Sequence, residues 1–129
     1  MSSAIEQQPD DQVSINELFR QESLDHLGRM ESELAGMGEG KPERSLLQSM
    51  FRSMHSLKGT AAALGLNTVT ELVHGAESLL EGLLAGRLQW SQELASVMTQ
   101  VCWTLEDMIN HRGDPVAAEV HQSLLVRLA

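Results

Sequence analysis

The stretch from Leu47 to Leu64 constrains the backbone more than any other part of the chain. Its apolar residues Leu47, Met50, Met54, Leu57, Ala61 and Leu64 follow one another at intervals of 3, 4, 3, 4 and 3. That rhythm draws one buried stripe along a helix, whereas a half-buried strand would repeat every second residue. His55 falls just off the stripe, in a row with Phe51, Lys58, Gly59 and Ala62. Side chains three or four apart are neighbours on a helix surface, so Lys58 is predicted beside the imidazole. Gly59 costs a helix interior about 1 kcal/mol relative to alanine. With Ala62 it leaves little bulk around His55, which predicts close access for another molecule.

The flanking segments supply further helices. Residues 1–13 are polar, contain Pro9 and show no period, so they are predicted to form a disordered N-terminal arm. Ser14 and Glu17 have the spacing of a capping box. They would open a helix that runs to Gly36 and buries Ile15, Leu18, Phe19, Leu27, Met30 and Leu34. Pro42 suits the first turn of the helix that contains His55. Thr68 and Glu71 form a second box, before a helix with Val69, Leu72, Val73, Ala76, Leu79, Leu80, Leu83 and Leu84 on its apolar rows and Gly86 as its stop. Ser91 would cap a fourth helix that buries Leu94, Val97, Met98, Val101, Leu105, Met108 and Ile109. Gly113-Asp114-Pro115 then separates off an extra helix over about 115–128, with Val116, Val120, Leu124 and Leu128 apolar.

All connections are short, which places successive helices antiparallel. The predicted fold is all-α: an antiparallel up-down four-helix bundle with an additional C-terminal helix. It would fill residues 14–129 as one domain with its core in 14–110, since 129 residues suffice for one core and not for two.

Composition narrows the function. Nine basic residues against eighteen acidic ones leave a net charge of −9, which repels nucleic acid and anionic membranes. No run is long and apolar enough to span a bilayer, and the N-terminus lacks a signal-peptide pattern. The lone Cys102 rules out an internal disulfide and fits a reducing compartment. A soluble cytoplasmic domain is expected.

The third predicted helix places His74 and Glu77 on a row that also holds Thr70 and Glu81. In an antiparallel pair, the middle of this helix faces the middle of the helix carrying His55. A carboxylate that accepts a hydrogen bond from one imidazole nitrogen fixes the tautomer and frees the other nitrogen as a nucleophile. Glu77 is predicted to do this to His55, and Lys58 to offer positive charge to a phosphoryl group on the outward nitrogen.

These residues carry a resemblance. His55-Ser-Leu-Lys58-Gly59 after Phe51-Arg52, with His74-x-x-Glu77 on the next helix, resembles a histidine phosphotransfer (HPt) domain. More narrowly it is similar to the P1 domain of chemotaxis histidine kinases of the CheA type. Their HSIKGG and LTHxxExLLD segments read HSLKGT and LVHGAESLLE here, across roughly residues 13–110. The departures are Thr60 for a glycine and Glu81 for an aspartate.

The resemblance implies that His55 is phosphorylated on Nε2 and that Lys58 and Gly59 are the lysine-glycine pair beside it. It implies that Glu77 orients the imidazole and that His74 belongs to the same network. It also implies an ATP-binding kinase domain as phosphodonor and a response-regulator receiver domain, with its own Mg²⁺ and aspartate, as acceptor. The chain has neither a Gly-rich phosphate loop nor a clustered acidic metal site, so no cofactor is expected on this domain and no ATP hydrolysis from it alone. The matched segment opens the chain, which suggests the front end of a larger kinase.

Two other readings compete. The chain could be a non-catalytic helical adaptor, or a bundle binding metal through His55, His74 and Glu77; Lys58 beside that cluster opposes the second. His26, His111 and His121 have no comparable setting and read as ordinary surface residues. Trp90 and Trp103 read as packing residues.

Overall fold

The computed structural model describes residues 3–110, with side chains from 17 onward. Four helices account for nearly all of it: α1 (Ser3–Met37), α2 (Arg44–Ala63), α3 (Asn67–Leu84) and α4 (Gln92–Asn110). Among the described residues there is no strand, and no helix is long and apolar enough to cross a membrane. The predicted fifth helix over about 115–128, with His111 and His121, lies outside the described residues.

The helices form a ring in chain order. α2 packs most extensively on α3 and α1 on α4, while α3–α4 and α1–α2 close the circuit more thinly. Side-chain contacts fix their directions. At the start of α2, Arg44 donates from Nη1 to the carbonyl of Leu84 at the end of α3, at 3.0 Å. Arg20, midway along α1, reaches Asn110 Oδ1 at the end of α4, also at 3.0 Å, while Glu31, farther along α1, meets Glu106, one turn back in α4. Both pairs are therefore antiparallel.

The stripe read from the sequence is the inner face of α2. Met50, Met54, Leu57 and Ala61 are buried, and Leu47 and Leu64 pack at its edges. They meet Leu72, Val73, Ala76 and Leu80 of α3, Val97, Met98, Val101 and Leu105 of α4, and Phe19, Leu27, Met30 and Leu34 of α1. A fully buried Leu or Met contributes about 1.5–3 kcal/mol, so this layer outweighs any single polar contact in holding the fold. Cys102 belongs to it, and burial, aided by the nearby Glu31 and Glu106 charges, pushes its thiol pKa up to about 12.

The turn between α2 and α3 sets the register of the pair. Gly65 has φ of 74°, in the left-handed region open to glycine. This lets Gly65 N donate to Ala62 O at 3.1 Å and Leu66 N to Ala61 O at 2.9 Å, the paired bonds of a Schellman stop. A connection of three residues, 64–66, then returns the chain directly along α2.

Several local expectations are corrected. Helix α1 begins at Ser3, so residues 3–13 are not a disordered arm and the Ser14–Glu17 box lies inside the helix. Once a helix is nucleated, each added residue gains a bond, and Glu6, Gln7 and Gln8 are good helix formers. Leu18 is 57% exposed and Trp103 58% exposed, because both fall on outward rows of helices whose inner faces are already filled. His26 is half-buried, with Nδ1 sealed from solvent. Pro42 precedes α2 by two residues rather than lying in its first turn. The Thr68–Glu71 box is not used either. α3 starts two residues before a Thr68 cap would place it, at Asn67, after the Gly65 stop, and Thr70 Oγ1 donates back to Leu66 O at 2.8 Å. The Ser91 cap does form, its Oγ accepting from Leu94 N at 3.1 Å.

Candidate functional site: an outward imidazole on the α2–α3 seam

Register brings His55 and Glu77 together. From the Gly65 turn, each lies about three turns along its own helix, so the two side chains meet across the seam. His55 Nδ1 lies 2.5 Å from Glu77 Oε2. The His55 side chain is two-thirds exposed (67%), while that of Glu77 is only 8% exposed. The imidazole therefore stands at the surface with one edge tied inward.

Lys58, one turn after His55, donates from Nζ to the other carboxylate oxygen, Oε1 of Glu77. Its side chain is 29% exposed. Glu77 thus serves two donors, one on each oxygen. Burial, the largest single influence, pushes its pKa up. The hydrogen bonds from Lys58 and His55, with the charges of both, outweigh burial and hold the carboxyl below its ordinary value. An ionised carboxylate can only accept hydrogen bonds, so the proton between the two groups belongs to Nδ1. In the neutral ring, Nε2 is then the nitrogen with the free lone pair.

The surroundings leave that nitrogen reachable. Phe51, half-buried, stacks on the imidazole with ring centroids 6.3 Å apart and planes inclined by 17°. Phe51, His55, Lys58, His74, Glu77, Ser78 and Glu81 line a shallow depression of about 350 Å³. Gly59 and Ala62 are exposed, and a Cβ added at Gly59 would meet nothing within 4 Å. The open space expected at Gly59 is present.

The predicted site residues thus converge, with two differences. Lys58 does not stand free beside the outward nitrogen, because its ammonium is engaged by Glu77. His74 lines the depression but makes no hydrogen bond to His55 or Glu77, so the tie to Nδ1 is made by Glu77 alone among the described residues. The stack of Phe51 on His55 was not anticipated, although its signal, an aromatic four residues before the histidine, stands in the sequence. For the metal alternative, no group of three His, Cys, Asp or Glu side chains among the described residues is placed to hold an ion.

The chain is similar to known proteins. The chain is 32% identical over 104 residues to the chemotaxis protein CheA of Rhizobium meliloti, covering 81% of this chain and 14% of that protein. It is 27% identical over 89 residues to the sensor histidine kinase CheAY of Helicobacter pylori, covering 69% of this chain and 11% of that one. The chain thus spans about one-seventh to one-ninth of the length of these curated relatives. Among solved structures, the phosphorylated P1 domain of CheA3 in complex with CheY6 from R. sphaeroides superposes with a TM-score of 0.74. At 21% identity the match covers 90% of this chain and 98% of that one, and it shows a shared fold. The sequence model of the Hpt domain matches residues 14–128, and with that span the chain belongs to the Hpt domain family.

Proposed function

We propose that this domain is a phosphorelay station of chemotaxis-type two-component signalling, with His55 as the phosphoacceptor. The observation that carries the reading is the hydrogen bond from Nδ1 of an exposed imidazole to a buried, ionised carboxylate, in a chain of the Hpt family.

The chemistry follows from that bond. Nε2 of the neutral ring attacks the γ-phosphorus of ATP held by a separate kinase domain. An Nε2–P bond forms, the bond to the β,γ-bridging oxygen breaks, and ADP leaves with that electron pair. The ring keeps its Nδ1 proton and becomes a phospho-imidazolium. Its new positive charge lies against the Glu77 carboxylate, so Glu77 stabilises the product side of the transfer as well as the reactive tautomer. Lys58 keeps Glu77 ionised in the resting domain. In the second step an aspartate carboxylate of a receiver domain attacks the phosphorus, the Nε2–P bond breaks, and the ring returns to its neutral form. The receiver brings its own Mg²⁺ and acidic cluster, and the open surface at Gly59 and Ala62 gives it room to approach over α2 and α1.

Transfer of this kind rests on positioning and charge. In that scheme the domain is the phosphoacceptor part of a histidine kinase and supplies no ATP site of its own. Incubation with a CheA-type kinase domain and γ-labelled ATP should give acid-labile, base-stable phosphate that disappears in His55→Gln. Label that survives this substitution, or none on the parent domain, would leave a helical adaptor as the better reading.

A further inference from the structure

We propose that Phe51 is a positioning residue for phosphoryl transfer, fixing the plane of the His55 ring and favouring its charged, phosphorylated form. The inference rests on the reading of His55 as the phosphoacceptor and adds a residue to which that reading gives no role.

The argument begins with what one hydrogen bond leaves undetermined. Glu77 Oε2 pins Nδ1, but a single contact lets the ring swing about the axis through it. The rest of the imidazole is largely in solvent, where side chains exchange rotamers rapidly. In-line transfer tolerates little of that motion, since a misplacement of about 1 Å can cost about a hundredfold in rate.

Phe51 supplies the second constraint. Helical side chains lean towards the N-terminus, so the imidazole lies over the residue four positions before it. The separation of 6.3 Å and the near-parallel planes are those of an offset stack. Phe51 is itself anchored, being half-buried and packed against the hydrophobic core. The ring therefore rests on a fixed platform along one face and is tied at Nδ1, which leaves the Nε2 edge free. Phosphorylation places positive charge on a ring that already faces an aromatic π-surface, and that contact strengthens with the charge. A leucine of similar bulk would fill the same space without offering a flat, electron-rich face.

The test compares Phe51→Leu, Phe51→Met and Phe51→Tyr with the parent domain. In the leucine and methionine variants, kcat for labelling by the kinase domain should fall about fivefold with KM unchanged. Transfer from phosphorylated His55 to a receiver should slow as well, because both reactions use the same ring pose. Phe51→Tyr should stay within about twofold of the parent, since it keeps the π-face. ¹⁵N NMR should show the Nδ1–H tautomer unchanged in all three, separating this role from that of Glu77. Far-UV circular dichroism checks folding, and methionine serves should leucine perturb it.

Parent-like kcat in the leucine and methionine variants overturns the proposal. So does a tyrosine variant as slow as leucine, or a loss confined to KM for one partner, which would mark a docking contact instead. A parent domain that takes no label on His55 would remove the phosphoacceptor reading itself, whereas normal parent labelling with unaffected variants removes only the role of Phe51.

Discussion

The two tight seams of this bundle each hold a carboxylate, and the two are driven in opposite directions. Glu77, between α2 and α3, is the more deeply buried, yet its pKa is lowered. Glu106, half-buried between α1 and α4, is raised to about 7 by burial, by a hydrogen bond with Glu31 and by that residue's negative charge. Burial pushes both upward, so depth does not separate them. The sign of the partners does: a lysine and an imidazole face Glu77, and a second carboxylate faces Glu106. One seam is thereby equipped to fix a proton on a neighbouring ring. The other holds a proton of its own near neutral pH and carries no chemistry that the relay uses.

The largest effect should come from emptying the first seam. Glu77→Ala removes the acceptor for Nδ1 and the counter-charge for Lys58 together. Labelling of His55 should slow by about tenfold or more, in line with losses seen when a histidine's orienting partner is removed. The core residues beneath are untouched, so the bundle should remain folded by circular dichroism. Unchanged labelling kinetics would mean that tautomer control is not what this seam provides.

A smaller effect, in stability and not in transfer, should follow from the second seam. A carboxyl with a raised folded-state pKa binds its proton more tightly in the native state. Stability therefore falls as pH rises from the ordinary 4.5 to about 7, and the penalty is complete above that. Glu77 has the opposite sign. Its contribution is fully present above the ordinary 4.5 and is lost as pH falls through its lowered folded-state value. From these two groups, stability should peak near the lower edge of the window between 4.5 and about 7. Glu106→Gln should abolish the decline on the neutral side. Glu106 is half-buried, so solvent screening holds the gain to about 1 kcal/mol, or about 4 °C in Tm for a domain of this size. Labelling of His55 should not change. Denaturant melts across pH would show the flattened profile; a decline that persists in the variant would mean that the α1–α4 pair does not share a proton.

The sequence carried the first seam and not the second, for a physical reason. His55 and Glu77 lie on consecutive helices joined by a tight turn, so periodicity and the Gly65 stop together set which residues face one another. Glu31 and Glu106 come from the first and last helices of the ring, and their meeting depends on how the whole circuit closes. No local spacing encodes that. The engagement of Lys58 by Glu77 was hidden more subtly. Spacing put Lys58 beside His55, but a flexible ammonium goes to the nearest desolvated charge, and the depth of Glu77 is a property of packing. Leu18 and Trp103 mark the same limit from the apolar side, because a helix can carry more large hydrophobic residues than its neighbours can cover. The Ser14 and Thr68 boxes show that a capping signal is overridden when a helix extends past it or a glycine stop moves the start.

Salt should separate the two seams by the smallest margin, and it probes the cause and not only the sign. Raising NaCl from about 0.1 M to about 0.5 M shortens the screening length from about 10 Å to about 4 Å. Glu77 is buried and meets both donors directly, so mobile ions cannot come between them and its titration should hold still. Glu106 is partly open to solvent, and the like charge of Glu31 is one of the influences that raise it. Screening should relieve part of that repulsion and bring its midpoint down by about 0.3 in pH, leaving the larger contribution of burial in place. Side-chain carboxyl ¹³C shifts followed through a titration at each salt concentration would resolve both groups. Equal movement of the two would mean that the α2–α3 seam is as open to ions as the α1–α4 seam, and that its low carboxyl rests on long-range charge and not on the paired hydrogen bonds from Lys58 and His55.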